Sequence, residues 1–575
     1  MQTRFSFAAS LVSAALFTAG CHPPKPAVAG APVEEDDDDD VGEGPRIREI
    51  SIDVPIVQSS APPTDGRPAP LPTVLKPDAR LVAPAGFSAG GFTTADVSAP
   101  TTGPVLEGGR LGHDPQVAAS DRHLIVYTAH RYRMYDKATG APLAAEGEIT
   151  PNGDFNGLFS PLWLPRDHTG APSTQNINTR LNFALEDPLR CDPEHPTASN
   201  ACVQEFYDTR ILWDAHRRRF WVESAARNHL WYCKPGNPCG PTQSPTQARR
   251  YIAIAVSKTE DPRQGFHRYI LVNQYSDWPK IGIDERYLIL GHRGTSTAYV
   301  FDADKLAAGN PDHGPVRLAK LTARAFPGVR HLAPVTAHGP TGGVTYLLGS
   351  DGSDSIRVFG LWSPDPNRPA RPKVLIGPKI DIDQKLGTIE GNAVYRNGML
   401  HWTRDQWAPD HEKEYRQVRV TRMPLRLAPA EGERPPHIWA TNDARFGFLD
   451  VVIGERERDD GPGEIMDYEK PALDVNDVGD IVVVYSRKSY RARVAVPPEM
   501  RYSIIYHGEL RARPGVLVRR GTTSQVPDIN DNAKAGIDLA FAQVDPSDDH
   551  TVWITHAVAD ARMRWYRQIV AAVRP

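Results

Sequence analysis

The sequence lacks several of the enzyme motifs that residue spacing can reveal. Its 575 residues contain no Walker loop, no HExxH pair and no GxGxxG following a strand-like run. The 19 histidines are scattered without the close ligand pairs typical of a metal site. The sequence therefore predicts none of the enzyme classes that these motifs define, and we expect no metal and no cofactor.

Long apolar runs and basic blocks are also missing. No apolar run reaches the roughly 20 residues that a membrane-spanning helix needs. The formal net charge is −4, and the one long charge run, Glu34 to Asp40, is acidic, so no segment is suited to neutralising phosphates. We therefore expect no nucleic-acid partner.

The N-terminus resembles a secretory signal. A short apolar segment after Arg4 ends in small residues, and Thr18 to Cys21 reads TAGC, which resembles a bacterial lipobox. The sequence thus predicts a signal peptide over 1–20 and acyl chains, palmitate among them, on Cys21, which would anchor the protein without spanning the membrane. Because His22 is not the Asp that acts as an inner-membrane signal, the outer membrane of a bacterial cell envelope is favoured. The alternative is an ordinary secretory signal with an incidental cysteine.

Cysteine is scarce, with five residues in the chain. Apart from Cys21 they are Cys191, Cys202, Cys233 and Cys239, an even number that predicts disulfides in an oxidising compartment. Four cysteines allow three connectivities, and two local bridges are favoured because CDPEHPTASNAC and CKPGNPC both look like loops closed at their bases. A zinc site would more often show closer CxxC pairs.

Proline and glycine are abundant, at 53 and 46 residues. Residues 21–84 combine the acidic run with clusters of proline, a composition that cannot bury enough apolar surface to fold. We interpret 21–84 as a disordered tether and 85–575 as the folded domain.

The domain is predicted to be all-β. Runs such as HLIVYTAHRYRMYD, RYIAIAVSK, RYLILGH and DIVVVYSRK are rich in Val, Ile and Tyr and are separated by turn signals such as Asn397-Gly398. Hundreds of residues of short strands without an evident break favour radial repetition, as in a β-propeller, over a sandwich. Seven blades are expected, with six or eight as alternatives. A strand near Val82 to Val97 is predicted to close the ring by pairing with WYRQIVAAV at the C-terminus.

Five sequence segments, in the same order along the chain, resemble those of a known group of proteins. They resemble segments of secreted bacterial β-propellers that are distantly similar to sialidase-type propellers. The segments are FYDTRILWDAHRRRFWVES, IAIAVSKTEDPRQGFHRY, SDWPKIGIDERYLILG, PALDVNDVGDIVVVYSRKS and AFAQVDPSDDHTVWITHA. The resemblance covers Gly109 to Val573 and implies the fold. No clean Asp-box turn of the sialidase form appears, so the resemblance does not imply sialidase activity.

One candidate binding stretch lies in FYDTRILWD. A regular strand would place Asp208, Arg210 and Asp214 on one face, with an arginine between two carboxylates. Such a face could bind an anionic sugar or a carboxylate, because arginine offers a bidentate fork. The alternative is a salt-bridged contact within a blade. Asp277 precedes WPKIGI, where it either shapes a turn or contributes to a site.

A second candidate stretch follows an Asn-Gly turn. His401, Trp402, Arg404 and Trp407 could stack on and bind a sugar or a peptide near the mouth of the propeller. Ordinary packing within the blade explains Trp402 equally well.

A tight Asp/Pro turn and an aromatic strand are predicted at Asp545 to Trp553. Asp545, Asp548 and Asp549 could also hold calcium there, although their spacing is that of a common turn.

The sequence therefore predicts an exported lipoprotein whose propeller is a non-catalytic module that binds a protein or a glycan at the cell surface. Membrane contact would be through the lipid anchor only. The alternative function is a glycan-cleaving enzyme, a glycosidase or lyase, with its site in the propeller channel.

Overall fold

The structure of the protein is a computed structural model. It describes three short strands before residue 114, and after that point residues 114–128, 131–154, 158–159, 183–184, 205–227, 250–272, 278–292, 296–310, 317–351, 355–364, 372–381, 389–407, 415–428, 435–454, 466–489, 496–522, 539–560 and 565–575.

The described residues are almost entirely β-strand. The three early strands are β1 (Val57–Gln58), β2 (Arg80–Val82) and β3 (Phe92–Thr93). The next strands form three sheets: β4 (Gln116–Ala119), β5 (His123–Thr128), β6 (Arg131–Asp136) and β7 (Asn152–Asp154); β8 (Phe183–Ala184), β9 (Glu205–Asp214), β10 (Arg219–Arg227), β11 (Arg250–Ser257) and β12 (Phe266–Val272); β13 (Pro279–Ile283), β14 (Tyr287–His292), β15 (Ala298–Asp302) and β16 (Arg317–Leu321). A short helix, α1 (Ala303–Ala307), follows β15 and begins where the Asp302 side chain accepts a hydrogen bond from the backbone of Lys305.

The C-terminal half contains the remaining strands. They are β17 (His331–His338), β18 (Val344–Ser350), β19 (Ser355–Trp362) and β20 (Lys373–Asp381); β21 (Ile389–Arg396), β22 (Met399–Trp407), β23 (Arg416–Ala428), β24 (His437–Ala440) and β25 (Leu449–Ile453); β26 (Asp467–Val475), β27 (Ile481–Ser489), β28 (Val496–Ile505) and β29 (Val516–Arg520); β30 (Phe541–Val544), β31 (Val552–Asp560) and β32 (Trp565–Arg574). Short 3-10 helices lie at Pro262–Gln264 and Ala444–Phe446.

These strands form a seven-bladed β-propeller, as the sequence predicts. Each blade begins with an innermost strand, and β4, β9, β13, β17, β21, β26 and β30 contact one another in that order, with β30 returning to β4. We number the blades 1 to 7 in the same order. Within each blade the successive main strands pair antiparallel, and blades 4 and 5 are fused into one ten-stranded sheet because β17 pairs with β21 in parallel.

The ring is closed by strands that are distant in sequence. In blade 7, β32 pairs antiparallel with β31 on one side and with β2 and β3 on the other. This confirms the predicted closure by a segment near residues 82–97. Blade 7 therefore combines outer strands from the early part of the chain with inner strands from the C-terminal end.

The blades are apolar on both faces because each blade packs between two others. All nine residues of β27 are buried, and so are all six of β14. Val482 and Val484 pack towards blade 7, whereas Val483 and Tyr485 pack towards blade 5. This two-sided burial explains why the strands read as nearly continuous apolar runs.

A recurrent turn ends several inner strands. Asp214 accepts a hydrogen bond from the indole of Trp221, and Asp545 accepts one from the indole of Trp553. Asp284, just after β13, instead accepts from the backbone of Tyr287. The aspartate therefore fixes the hairpin that leads from the first strand of a blade to the second.

The predictions for the N-terminus are only partly addressed by the structure. Strands β1 and β2 lie before the boundary predicted at residue 85 and pair with β20 and β32, so backbone from the predicted tether takes part in the sheets. Cys21 and the four cysteines expected to form disulfides lie outside the described residues. Among the described residues, no helix is long and apolar enough to cross a membrane.

Candidate functional site

The candidate site lies at one end of the central channel. All seven inner strands are the first strands of their blades, so they begin at one end and reach their hairpins at the other. We call the end where they begin the channel mouth. The connections from each blade to the next lie at this end, where propeller loops can build a site on a rigid scaffold.

The backbone is irregular at the channel mouth in three blades. Asp208, Trp278 and Lys470 have φ angles of 50°, 49° and 52°, in the left-handed region that side chains other than glycine rarely adopt. The register of β9 against β10 and of β26 against β27 shifts at Asp208 and Lys470. Such bulges re-aim side chains, and left-handed non-glycine residues cluster at functional sites.

These three residues meet across the channel. The backbone N–H of Trp278 in blade 3 donates to Oδ2 of Asp208 in blade 2 at 3.0 Å. Nζ of Lys470 in blade 6 lies 4.2 Å from the centroid of the Trp278 ring, a cation–π contact. We call Asp208, Trp278 and Lys470 the channel-mouth cluster. All three are partly exposed, so the cluster offers an aromatic face, a cation and a carboxylate to solvent.

Further contacts join the blades around this cluster. The Lys280 ammonium in blade 3 donates to the carbonyl of Ile389 in blade 5, and the Thr403 hydroxyl donates to the carbonyl of Pro471 in blade 6 at 3.3 Å. These hydrogen bonds link blades 3, 5 and 6 at the channel mouth. The cluster is therefore held in place by its surroundings.

A buried carboxyl group lies beside the same end of the channel. Glu223 on β10 is opposite Arg210 on β9 and is 0% exposed. Neither of its side-chain oxygens has a hydrogen-bond partner among the described residues, and its nearest ionisable contact is Nε2 of His292 at 3.9 Å. Burial raises the pKa of Glu223 well above its usual value, against the opposing effect of Arg210. Burial also lowers the pKa of His292 to about 3. Burial therefore favours the neutral form of both side chains.

We expect Glu223→Gln to change how stability depends on pH. Because folding raises the pKa of Glu223, the folded state holds its proton more tightly than the unfolded chain does. The proton's contribution to the free energy of unfolding is complete below the pKa of the unfolded chain, about 4.3. It is lost as the pH rises towards the pKa of Glu223 in the folded protein. Each unit of difference between the two pKa values corresponds to about 1.4 kcal/mol. Glutamine cannot ionise, so the variant should be more stable than the wild type at pH 8 but not at pH 4.

Urea unfolding of both proteins at pH 4, 6 and 8 measures this effect. Glu509→Gln is the control, since Glu509 is a partly exposed carboxylate that binds Arg513 at the surface. Parallel stability curves for wild type and Glu223→Gln between pH 4 and 8 would show that the carboxyl group is ionised in the folded protein.

The predicted Asp208, Arg210 and Asp214 face is not formed. The bulge at Asp208 breaks the strand alternation, so that Asp208 and Thr209 together oppose a single residue of β10. Asp214 lies at the far end of β9, where it accepts from Trp221 and Arg217 within the hairpin. Arg210 instead donates to the carbonyl of Pro279 at 3.1 Å. The structure thus brings Asp208 to the channel mouth and removes Asp214 from it.

The residues of the second predicted stretch, His401 to Trp407, also do not come together in one site. Trp402 is fully buried in the core between blades 4 and 5, so the stacking hypothesis is wrong for this ring. His401 is buried nearer the hairpin end, and burial followed by the cations of Arg422 and Arg396 lowers its pKa well below the usual value. Arg404 pairs with Ile389 at the channel mouth. The side chain of Trp407 and the whole of Asp277 lie outside the described residues.

The aspartates considered for calcium have structural roles. Asp545 binds Lys137, Ser547 and Trp553, whereas Asp548 caps the turn through the backbone of His550 and Thr551. Asp549 pairs with Arg396 of blade 5. Within the described ranges, no group of three or more His, Cys, Asp or Glu side chains could hold a metal ion.

Sequence reasoning missed most of the site. Trp278, Lys470 and Glu223 come from three different blades, and nothing in their local spacing connects them. The one available signal was Lys470-Pro471, because a proline inside a strand-like run often marks a bulge.

No protein-family model matches this chain, and no curated protein matches it. Solved structures do: an α-L-arabinofuranosidase from Lactobacillus brevis has 12% identity and a TM-score of 0.28, covering 52% of this chain and 90% of that one. An endo-1,5-α-L-arabinanase from Thermotoga petrophila has 13% identity and a TM-score of 0.24, covering 81% and 98%. The N-terminal domain of Nup159 has 8% identity and a TM-score of 0.30, covering 88% and 98%.

Similarities with sequence identities and TM-scores this low say nothing about activity. The seven-bladed assignment rests on the sheets and on the ring of inner strands. The chain is a β-propeller with a polar and aromatic candidate site at the channel mouth.

Proposed function

We propose that the protein is a non-catalytic binding module that recognises a glycan at the channel mouth. The observation that carries the proposal is the channel-mouth cluster, in which Asp208 accepts from the backbone of Trp278 and Lys470 lies over the Trp278 ring, so that three blades meet. An aromatic face binds the apolar face of a sugar ring, while a carboxylate and an ammonium group exchange hydrogen bonds with its hydroxyls. Left-handed backbone at all three residues supports a functional rather than a purely structural role.

Export and lipid anchoring at Cys21 stay predictions from the sequence. They form part of the proposal because an anchored propeller would display the channel mouth outside the cell, where glycans and surface proteins occur. A protein ligand remains the alternative partner.

A glycan-cleaving enzyme is the second candidate function. Glu223 favours it, because burial raises the pKa of this carboxyl group, and a raised pKa is the property required of a general acid. Cleavage would need a second carboxylate at a suitable separation, and Asp208 is the described candidate at this end of the channel.

We expect Trp278→Ala to weaken glycan binding at least about tenfold, since an aromatic side chain that a ligand covers is commonly a binding hot spot. Binding is measured by titration calorimetry of the full chain against a panel of bacterial and host polysaccharides, with product assays on the same mixtures. Trp439→Ala is the matched control, because Trp439 also lies beneath a cation, Arg426, but in the outer part of blade 5.

Equal affinity of Trp278→Ala and wild type for every glycan that binds would place the site elsewhere. Reducing ends or unsaturated products that accumulate in proportion to wild-type protein, and not to Glu223→Gln, would replace the binding module with the enzyme. A panel in which no glycan binds the wild type would contradict the glycan proposal.

A further inference from the structure

Blade 5 holds a cluster of charged side chains separate from the channel-mouth cluster. Arg404 on β22 and Arg419 on β23 are opposite each other in the antiparallel pair, and Asp450 on β25 is opposite Thr421 on β23. We call Arg404 and Arg419 the blade 5 arginine pair. Three adjacent strands therefore bring two guanidinium groups and one carboxylate together.

The carboxylate is shared. Asp450 Oδ2 accepts from Arg419 Nη1 at 2.7 Å and, at a longer 3.2 Å, from Arg404 Nη2. Its other oxygen accepts from the hydroxyl of Thr421 at 2.9 Å. Among the described residues, two formal positive charges thus meet one negative charge, and Arg404 is bonded to that carboxylate through Nη2 alone, at 3.2 and 3.4 Å.

Hydrogen-bond donors remain unused in this cluster. Nε and Nη1 of Arg404, and Nε of Arg419, have no hydrogen-bond partner among the described residues. Arg404 is 0% exposed, so its unused N–H groups are not satisfied by bulk water. Burying a charged group without full pairing is costly, and such an arrangement is retained most readily where a ligand completes it.

We propose that the blade 5 arginine pair binds an oxyanion, namely a carboxylate or sulfate group. A planar guanidinium presents N–H donors in the fork geometry that matches such groups, and an anion would balance the surplus positive charge. The Asp450 side chain is 18% exposed, so the cluster reaches solvent on its carboxylate side. This inference goes beyond the proposed glycan site, because it assigns a second site on different residues.

The oxyanion could belong to an acidic sugar or be a free inorganic ion. The two sources are distinguished by titrating the full chain with sodium glucuronate, with sodium sulfate, and with glucose as the neutral control. Sodium chloride keeps the ionic strength constant. Binding is followed by calorimetry and by the shift of the thermal midpoint, which rises with ligand that binds the folded state.

We expect a saturable response to sulfate or glucuronate and none to glucose. Arg404→Lys keeps the charge but loses the fork, and it should weaken anion binding about tenfold or more. Asp450→Asn removes the competing carboxylate, so it should bind the anion more tightly than the wild type and gain more stability from it. Asp443→Asn is the matched control, because Asp443 forms a surface pair with Arg445.

A stronger response to glucuronate than to sulfate would identify an acidic sugar as the source, and the reverse would identify an inorganic ion. The inference is overturned by responses that are the same in wild type, Arg404→Lys and Asp450→Asn, or by no response in the wild type. Asp450→Asn gains binding instead of losing it, so a folding defect cannot imitate its expected result. None of these outcomes depends on Trp278, so the glycan proposal can fail or stand independently.

Discussion

Replacing Asp545 with alanine is expected to lower the free energy of unfolding by about 3–5 kcal/mol, the usual cost of leaving a buried charge without its partner. Asp545 accepts from the Lys137 ammonium and from Ser547 on one oxygen, and from the Trp553 indole on the other. Lys137 follows the third strand of blade 1, so this pair joins the first blade to the last. The variant leaves the buried ammonium without its counter-charge, although the ammonium still donates to Ser120 and Ser547, and it removes the carboxylate acceptor of the Trp553 indole.

Urea unfolding monitored by tryptophan fluorescence measures this loss. Glu146→Ala is the control, since Glu146 is an exposed partner of Arg263 and its removal should change stability by less than about 1 kcal/mol. The double variant Lys137→Met with Asp545→Ala should recover part of the loss, because no buried charge is then left unpaired. A loss in Asp545→Ala no larger than that in Glu146→Ala would contradict the proposed role of this pair.

Deletion of residues 567–575 is expected to abolish cooperative thermal unfolding. The deletion removes most of β32, the strand between β31 and the early strands β2 and β3. Ile569, Val570 and Val573 are each no more than 1% exposed, and burial of side chains of this size contributes about 1.5–3 kcal/mol each. Their sum approaches the entire stability of a typical domain, about 5–15 kcal/mol.

Differential scanning calorimetry tests this expectation. Val570→Asp keeps the strand but places a charge in the core, so it should also unfold at a much lower temperature. Arg574→Ala, at an exposed position of the same strand, should melt like the wild type. If the truncated chain retains the wild-type midpoint, β32 is not required to close the ring.

The architecture could be predicted from sequence because several blades repeat a similar local pattern. Short apolar runs, an aspartate turn and a following aromatic strand appear at Asp545 to Trp553, and the structure confirms that hairpin. Ring closure was also predictable, because a propeller avoids open strand edges. These inferences depend on local spacing and on a general property of sheets.

The site could not be predicted because it depends on contacts between blades. Trp278 and Lys470 belong to blades 3 and 6, and their contact follows from ring geometry rather than from any motif. The interpretation of Asp208, Arg210 and Asp214 assumed a regular strand, and a single bulge at Asp208 invalidated it. Arg404 was singled out from the sequence, but its partner Asp450 lies on a strand outside that stretch.

The parallel pairing of β17 with β21 also affects how the ring can move. In the described part of the chain, it is the one junction where neighbouring inner strands are hydrogen-bonded as a strand pair, whereas side-chain packing and individual hydrogen bonds join the other blades. Blades 4 and 5 should therefore behave as one rigid body, with slow amide exchange along both strands. Any widening of the channel should then occur at the other junctions, with blades 4 and 5 moving as one unit.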